Sequence, residues 1–205
     1  MDKSPHNKKQ MGNILFFDTE TNGLPRSYHA KWSDVSNWPR VVQLGFLLTD
    51  TEGNTIQEYQ AIIQPDGWEI PIEASRIHGI SQEVAEAEGV PMFQAVAVFE
   101  EALEQADLLV AHNIKFDLPI MGAEFYREEK LLHVPDTFCT MLGSTDYVGI
   151  WNEYYGGYKW PKLEELYWKL FEEPFEGAHD ALADVKATAA CYFKLKEKGI
   201  FVFEG

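Results

Sequence analysis

The sequence predicts an α/β domain in which an early antiparallel hairpin precedes a series of alternating strands and helices. Three observations predict it. Residues 14–17 (Ile-Leu-Phe-Phe) and 107–111 are short apolar runs, too short for a helix and suited to strands buried on both faces. Residues 41–50 and 55–64 read as two strands joined by the turn 51–54. Residues 91–105 and 181–198 carry helical patterns instead.

Taken in order, strand 14–17 runs into Asp18, Glu20 and the turn Asn22-Gly23. Residues 25–40 form a Pro-, Ser-, Asn- and Trp-rich loop carrying Arg26, Lys31 and Arg40 against one acid, Asp34. Its Tyr28, Trp32 and Trp38 suit either a cover for the sheet edge or a flap that stacks bases. After the hairpin, Pro65-Asp66-Gly67 stops the second strand, and 73–78 is a short helix closed by Gly79. Ser81-Gln82-Glu83 opens another helical piece. Helix 91–105 has Pro91 in its first turn and Phe93, Val96, Ala97, Phe99 and Leu103 at helical spacing. Strand 107–111 then leads through His112-Asn113 into a helix. Pro119 places the start of that helix near Asp117, because proline fits a first turn, and the helix runs to about Lys130. Residues 137–139 suit a last short strand. Residues 149–158 are rich in glycine and aromatics; a helix follows from about Trp160 to Phe171. Helix 181–198 is alanine-rich, so it can pack closely on a sheet, and Asp180 suits its N-cap.

The 205 residues, 45% hydrophobic, suffice for one domain with a sizeable core. Residues 1–12 read as a flexible polar leader and 13–205 as a single domain. No apolar run approaches the roughly 20 residues a membrane span needs, and the start lacks a signal-peptide core. Cys139 and Cys191 read as two reduced thiols, so the expected setting is cytoplasmic. A net charge of −16 argues against broad electrostatic capture of a nucleic-acid backbone, yet leaves short single strands as substrates.

The candidate chemistry lies at segment ends. Asp18 and Glu20 are two apart on a strand, so they project the same way, repel each other and invite a cation. Asp117 begins a helix after a buried strand; His179 and Asp184 flank the start of another. Each has a bland alternative: a polar turn, an N-cap, a surface histidine, an acid favoured by the helix dipole. Together they fall where a strand–helix architecture gathers side chains at the carboxyl edge of a sheet.

The joint pattern resembles the DEDD-type 3′→5′ exonucleases of the DnaQ-like group, in the histidine-bearing DEDDh branch, similar to the epsilon-type exonuclease domain of DNA polymerase III. The likeness rests on Phe17-Asp18-Thr19-Glu20-Thr21-Asn22-Gly23-Leu24, on His112-Asn113-Ile114-Lys115-Phe116-Asp117, and on His179-Asp180-Ala181-Leu182-Ala183-Asp184. Ile77-His78-Gly79-Ile80 resembles a further segment between the first two motifs. The resemblance implies a ribonuclease H-like fold, a mixed five-stranded sheet flanked by helices. It implies a metal-dependent 3′→5′ exonuclease that releases nucleoside 5′-monophosphates from single-stranded nucleic acid, DNA first. Two divalent cations, Mg²⁺ or Mn²⁺, suit the carboxylates of Asp18, Glu20, Asp117 and Asp184. His179 is assigned as the general base. Thr19, Thr21 and Leu24 are implied to receive the terminal nucleotide, with His78 and Phe116 as further contacts.

Alternatives stay open at this stage. The substrate is RNA or an oligoribonucleotide if polar groups recognise a 2′-hydroxyl. The chain is a non-catalytic nucleic-acid or partner-binding module if the acids serve another purpose. A DNA polymerase is a possible partner, although the end at Gly205 favours a stand-alone nuclease. Trp151, Tyr154, Tyr155 and Trp160 offer a stacking platform, with core packing expected for at least half of them. An HD-type phosphohydrolase reading of His179-Asp180 ranks low, because His112 and His133 sit in the wrong contexts. Sequence leaves the oligomeric state undetermined.

Overall fold

The computed structural model describes residues 12–154 and 156–201; most of the expected leader lies outside them. The first strand, β1 (Asn13–Thr21), is followed by the hairpin β2 (Val41–Thr49) and β3 (Thr55–Ile62). Helices α1 (Ile72–His78), α2 (Gln82–Glu88) and α3 (Met92–Leu103) lead to β4 (Ala106–Ala111). Then come α4 (Ile114–Arg127), β5 (Asp136–Cys139), α5 (Thr140–Val148), the two-stranded ribbon β6 (Trp151–Asn152) and β7 (Gly157–Tyr158), α6 (Leu163–Phe171) and α7 (Ala181–Glu197).

The main sheet has the order β3-β2-β1-β4-β5. β1 pairs antiparallel with β2 and parallel with β4, so the sheet is mixed, as a hairpin followed by strand–helix crossovers requires. This is the ribonuclease H-like architecture, with helices on both faces.

Alternation along β1 sets the two sides. Leu15 and Phe17 face the core beneath α3 and α4, where Phe17 meets Phe99 at 5.4 Å between ring centroids. Ile14 and Phe16 face α7, where Phe16 meets Tyr192 edge-on at 5.3 Å. β2 is buried along its whole length, as a central strand covered on both faces must be. Cys139 and Cys191 are free and buried. No helix among the described residues is long and apolar enough to cross a membrane.

Several local expectations are corrected. β1 runs from Asn13 through Thr21, longer than the apolar run 14–17, and Asp18 and Glu20 lie on it as expected. α4 begins at Ile114, one turn before Asp117, with Asn113 at φ 71° making the sharp strand-to-helix turn. Pro119 therefore sits inside the helix and forgoes one backbone hydrogen bond. Phe93 is 55% exposed; Met92, Ala95 and Ala102 join Val96, Phe99 and Leu103 on the buried face of α3. α5 and the β6–β7 ribbon were not anticipated.

The loop 22–40 is a cover rather than a free flap over most of its length. Trp38 is in the core, and Trp32 lies so close to Gly122 of α4 that an added Cβ there would come within 2.4 Å of the indole. Asn37 bonds both backbone groups of Ser27. Arg40 is committed to the fully buried Glu124 at 2.9 Å. Tyr28 alone of its three large aromatics is mostly exposed.

Candidate active site

The register of β1 against β2 builds the first half of the site. Asp18 lies opposite Gly45 and Glu20 opposite Gln43, so these four positions share the sheet face that carries α7. Thr19 points to the other face. Its N–H and hydroxyl both donate to Asp117 Oδ1, at 3.1 and 2.7 Å. Those bonds fix the buried Asp117 against the strand that carries the other two acids.

The second half comes from the turn into α7. Gly177 and His179 both adopt positive φ, 83° and 69°, and the Asp180 N–H closes the turn on the Gly177 carbonyl. Asp180 then caps α7 by accepting from the Ala183 N–H at 3.0 Å. The His179 N–H donates to Asp184 Oδ2 at 3.1 Å, which ties the exposed histidine to the acid in the first turn. Ligand atoms of Glu20, His179 and Asp184 all lie within 4.8 Å of one another. Asp18, His179 and Asp184 also line one small cavity of about 150 Å³ together with His112.

Gln43 and Gly45 were missed in the sequence. Gln43 is buried; it accepts from the Ala181 N–H at 2.9 Å and donates to Asp180 Oδ2 at 3.2 Å, clamping the start of α7 to β2. Gly45 lets the backbone of Ala181 approach the sheet. The signal was present as a lone amide and a lone glycine inside an otherwise apolar strand, which mark a polar anchor and a close backbone approach.

The electrostatics follow from crowding. Burial, then the charges of Asp117, Asp184 and Glu20, push Asp18 well above the ordinary carboxylate range. Glu20 is pushed up to about 8 by burial, then by Asp184 and Asp117. Burial raises Asp117 to about 7 against the opposing Thr19 bonds, and raises Asp184 to about 6 against the His179 N–H. Such a set holds protons unless positive charge neutralises it, and its donors are all oxygens of the kind hard divalent cations prefer. The carboxylates therefore fit a divalent metal centre.

His112 is a structural clamp. Its Nε2 donates to the Pro161 carbonyl and its Nδ1 accepts from the Thr140 hydroxyl, both at 3.0 Å, and burial drives it down to about 4.

Beside the carboxylates lies a cavity of about 490 Å³. Thr19, Thr21, Leu24, His78 and Phe116 all line it, and Glu20 belongs both to its wall and to the acidic cluster. Leu24 is 75% exposed, an apolar side chain left at the rim. His78 Nδ1 accepts from the Ile80 N–H at 3.1 Å, so its proton sits on Nε2, which is buried without a partner. The proposed stacking aromatics fare differently from expectation: Trp151, Tyr154 and Trp160 are 59, 89 and 64% exposed rather than core, and Tyr155 lies outside the described residues.

A five-stranded mixed sheet with four carboxylates and a histidine gathered at one end of its central strand defines a DnaQ-like nuclease of the DEDD type. The chain belongs to the exonuclease family RNase_T, whose model spans residues 15–192. It is 31% identical over 134 residues to the DNA polymerase III subunit epsilon of Rickettsia conorii, covering 62% of this chain and 52% of that protein. It is 27% identical over 187 residues to the 3′-5′ exonuclease DinG of Bacillus subtilis, covering 90% of this chain and 18% of that one. The fold superposes on Escherichia coli exonuclease I in complex with a dA16 oligonucleotide with a TM-score of 0.72 at 24% identity, covering 91% of this chain and 41% of the other. The chain thus spans about half the length of the epsilon subunits it resembles.

Proposed function

We propose that the protein removes nucleotides one at a time from the 3′ end of single-stranded DNA, releasing nucleoside 5′-monophosphates. One observation carries the reading: acids from three distant segments converge, with raised proton affinities, beside a cavity of about 490 Å³ whose wall Glu20 shares. The 3′→5′ direction draws support from the likeness to the 3′-5′ exonuclease DinG, and the DNA substrate from the likeness to the DNA polymerase III subunit epsilon.

Asp18, Glu20, Asp117 and Asp184 are the residues that would hold two divalent cations, Mg²⁺ or Mn²⁺. When bound, the cations offset charge on the phosphate and on the departing 3′-oxygen. The chain's own groups do the rest. His179, exposed at the turn and held by Asp184, takes the proton of the attacking water. The water oxygen bonds to the terminal phosphorus, the bond to the penultimate 3′-oxygen breaks, and that oxygen collects a proton from solvent. Leu24 and Phe116 offer apolar surface to the terminal nucleoside. Thr19 and Thr21 line the same wall, and His78 Nε2–H donates to a substrate oxygen, which resolves its missing partner. Residues 13–205 act as one exonuclease domain. Association with a DNA polymerase is part of the reading and rests on the similarity to the epsilon subunit.

The test compares matched DNA and RNA oligonucleotides in Mg²⁺, with free and 3′-blocked ends, and separates the products by chromatography. Nucleoside 5′-monophosphates from free 3′ ends, faster from DNA, are expected. Faster release from RNA would transfer the substrate to oligoribonucleotides. Equal cleavage of 3′-blocked strands would overturn the exonuclease direction.

A further inference from the structure

A groove of about 880 Å³ lies on the other side of the first turn of α4 from the nucleotide cavity. Phe116 lines the nucleotide cavity, whereas Lys115 and Leu118 line this groove, so one helical turn is the wall between them. Tyr28 and Trp160 stand along the groove at 56 and 64% exposure. They come from segments far apart in sequence: Tyr28 from the loop 22–40, and Trp160 from the residue next to Pro161, whose carbonyl holds His112 of the carboxylate cavity. His29 and Lys115 are exposed on the same groove. Among the described residues Lys115 makes no ion pair, although the chain carries 33 acids against 17 Lys and Arg.

We infer that this groove takes the strand upstream of the terminal nucleotide, with bases stacked on Tyr28 and Trp160 and a phosphate at Lys115. The inference rests on the exonuclease reading and extends it to a substrate several nucleotides long. Two features select single-stranded nucleic acid. Residues of the single segment 112–119 line the groove, the nucleotide cavity and the carboxylate cavity, so a strand whose end lies in the nucleotide cavity has this groove beside it. Exposed aromatic faces beside an unpaired cation match alternating bases and phosphates. A duplex would present no free base faces to Tyr28 and Trp160. The arrangement also answers the net charge of −16: affinity comes from stacking and one local cation, not from a broad basic surface.

The test is binding of 5′-fluorescein dT2 and dT12, each with hydrolysis-resistant phosphorothioate linkages, to the full chain in Mg²⁺, followed by anisotropy. The wild type should bind dT12 at least tenfold more tightly than dT2. Tyr28→Ala and Trp160→Ala should each weaken dT12 binding by roughly tenfold and largely erase the length dependence. Lys115→Gln should flatten the salt dependence of dT12 binding by about one phosphate contact. Trp160 fluorescence should be quenched by dT12 and not by dT2. Variants that keep the wild-type ratio of dT12 to dT2 would overturn the assignment and leave the groove to another occupant, such as a peptide. Separate failure of the exonuclease reading would show as no cleavage of unmodified dT2 or dT12 by the wild type, whatever the binding ratio.

Discussion

Replacing Gly45 with alanine tests how the site is assembled, because Gly45 lies opposite Asp18 and directly under the start of α7. A Cβ at this position would come within 2.7 Å of the Ala181 carbonyl carbon and 2.8 Å of both the Ala181 oxygen and the Leu182 nitrogen. Ordinary contact begins at 3.4 Å, and all three are backbone atoms, so no side-chain rotation relieves the clash. The first turn of α7 must withdraw by about 0.7 Å. That stretches the Gln43–Ala181 bond from 2.9 Å to beyond hydrogen-bonding range and carries His179 and Asp184 away from Asp18 and Glu20. Overpacking of this kind costs about 1–3 kcal/mol, or roughly 2–12 °C in Tm for a chain of this size. A misplacement near 1 Å lowers turnover by about a hundredfold, so kcat should fall by about 10–100-fold. KM should change little, since Leu24, His78 and Phe116 stand on other elements. Steady-state cleavage of a 5′-labelled oligonucleotide, with Tm measured alongside, reads both numbers. A variant with kcat within twofold of wild type would refute the claim that the approach of α7 to β2 sets the site.

His179→Ala should lower kcat by about 10²–10⁴-fold while keeping the Tm rise on adding Mg²⁺; retention of nearly full rate would remove the histidine from its role as base. In chelator, Tm should fall as pH rises from about 4 to 8. The folded state binds more protons than the unfolded one through Glu20, Asp117 and Asp184, raised to about 8, 7 and 6, so stability is greatest below their ordinary range and is lost as each ionises. Millimolar Mg²⁺ should restore Tm at pH 8, and a Tm indifferent to both pH and Mg²⁺ would contradict the cation-binding cluster. Thr19→Val removes the hydroxyl donated to Asp117 and should move the acid limb of the pH–rate profile up by about one unit; an unmoved limb would show that this bond does not tune the site. Glu124→Ala leaves the part-buried Arg40 and Arg127 without the fully buried acid that pairs both and should cost about 3–5 kcal/mol in stability, read by chemical denaturation; a loss under 1 kcal/mol would show that solvent satisfies both guanidiniums.

Much of the site was legible because its chemistry is local. Buried apolar runs end in acids at Asp18 and Glu20, and a helix start carries His179 and Asp184, so residue type and spacing marked them as candidates, while their roles came from the family likeness. The cavity residues Thr19, Thr21, Leu24, His78 and Phe116 came from the family likeness, and they do line one cavity. What escaped was long-range. The Gln43 clamp joins residues 138 apart in sequence, and no periodicity reports it. The start of α4 was misplaced because Pro119 was read as a first-turn residue, whereas the left-handed Asn113 starts the helix earlier. α5 went unseen because Thr140–Val148 carries only a weak amphipathic pattern. At least half of the aromatics Trp151, Tyr154, Tyr155 and Trp160 were expected in the core, whereas Trp151 and Tyr154 are displayed by a two-strand ribbon and its turn, and Trp160 is exposed just after it.

The central claim is that the four carboxylates form a cation-dependent centre that shortens single strands from the 3′ end. The most direct measurement follows 5′-labelled single-stranded DNA in Mg²⁺, with chelator and with Asp18→Ala in parallel. A ladder that shortens from the 3′ end, lost with chelator and with Asp18→Ala, is the predicted result. A ladder undiminished by chelator, or strands left intact by the wild type in Mg²⁺ and Mn²⁺ alike, would contradict it.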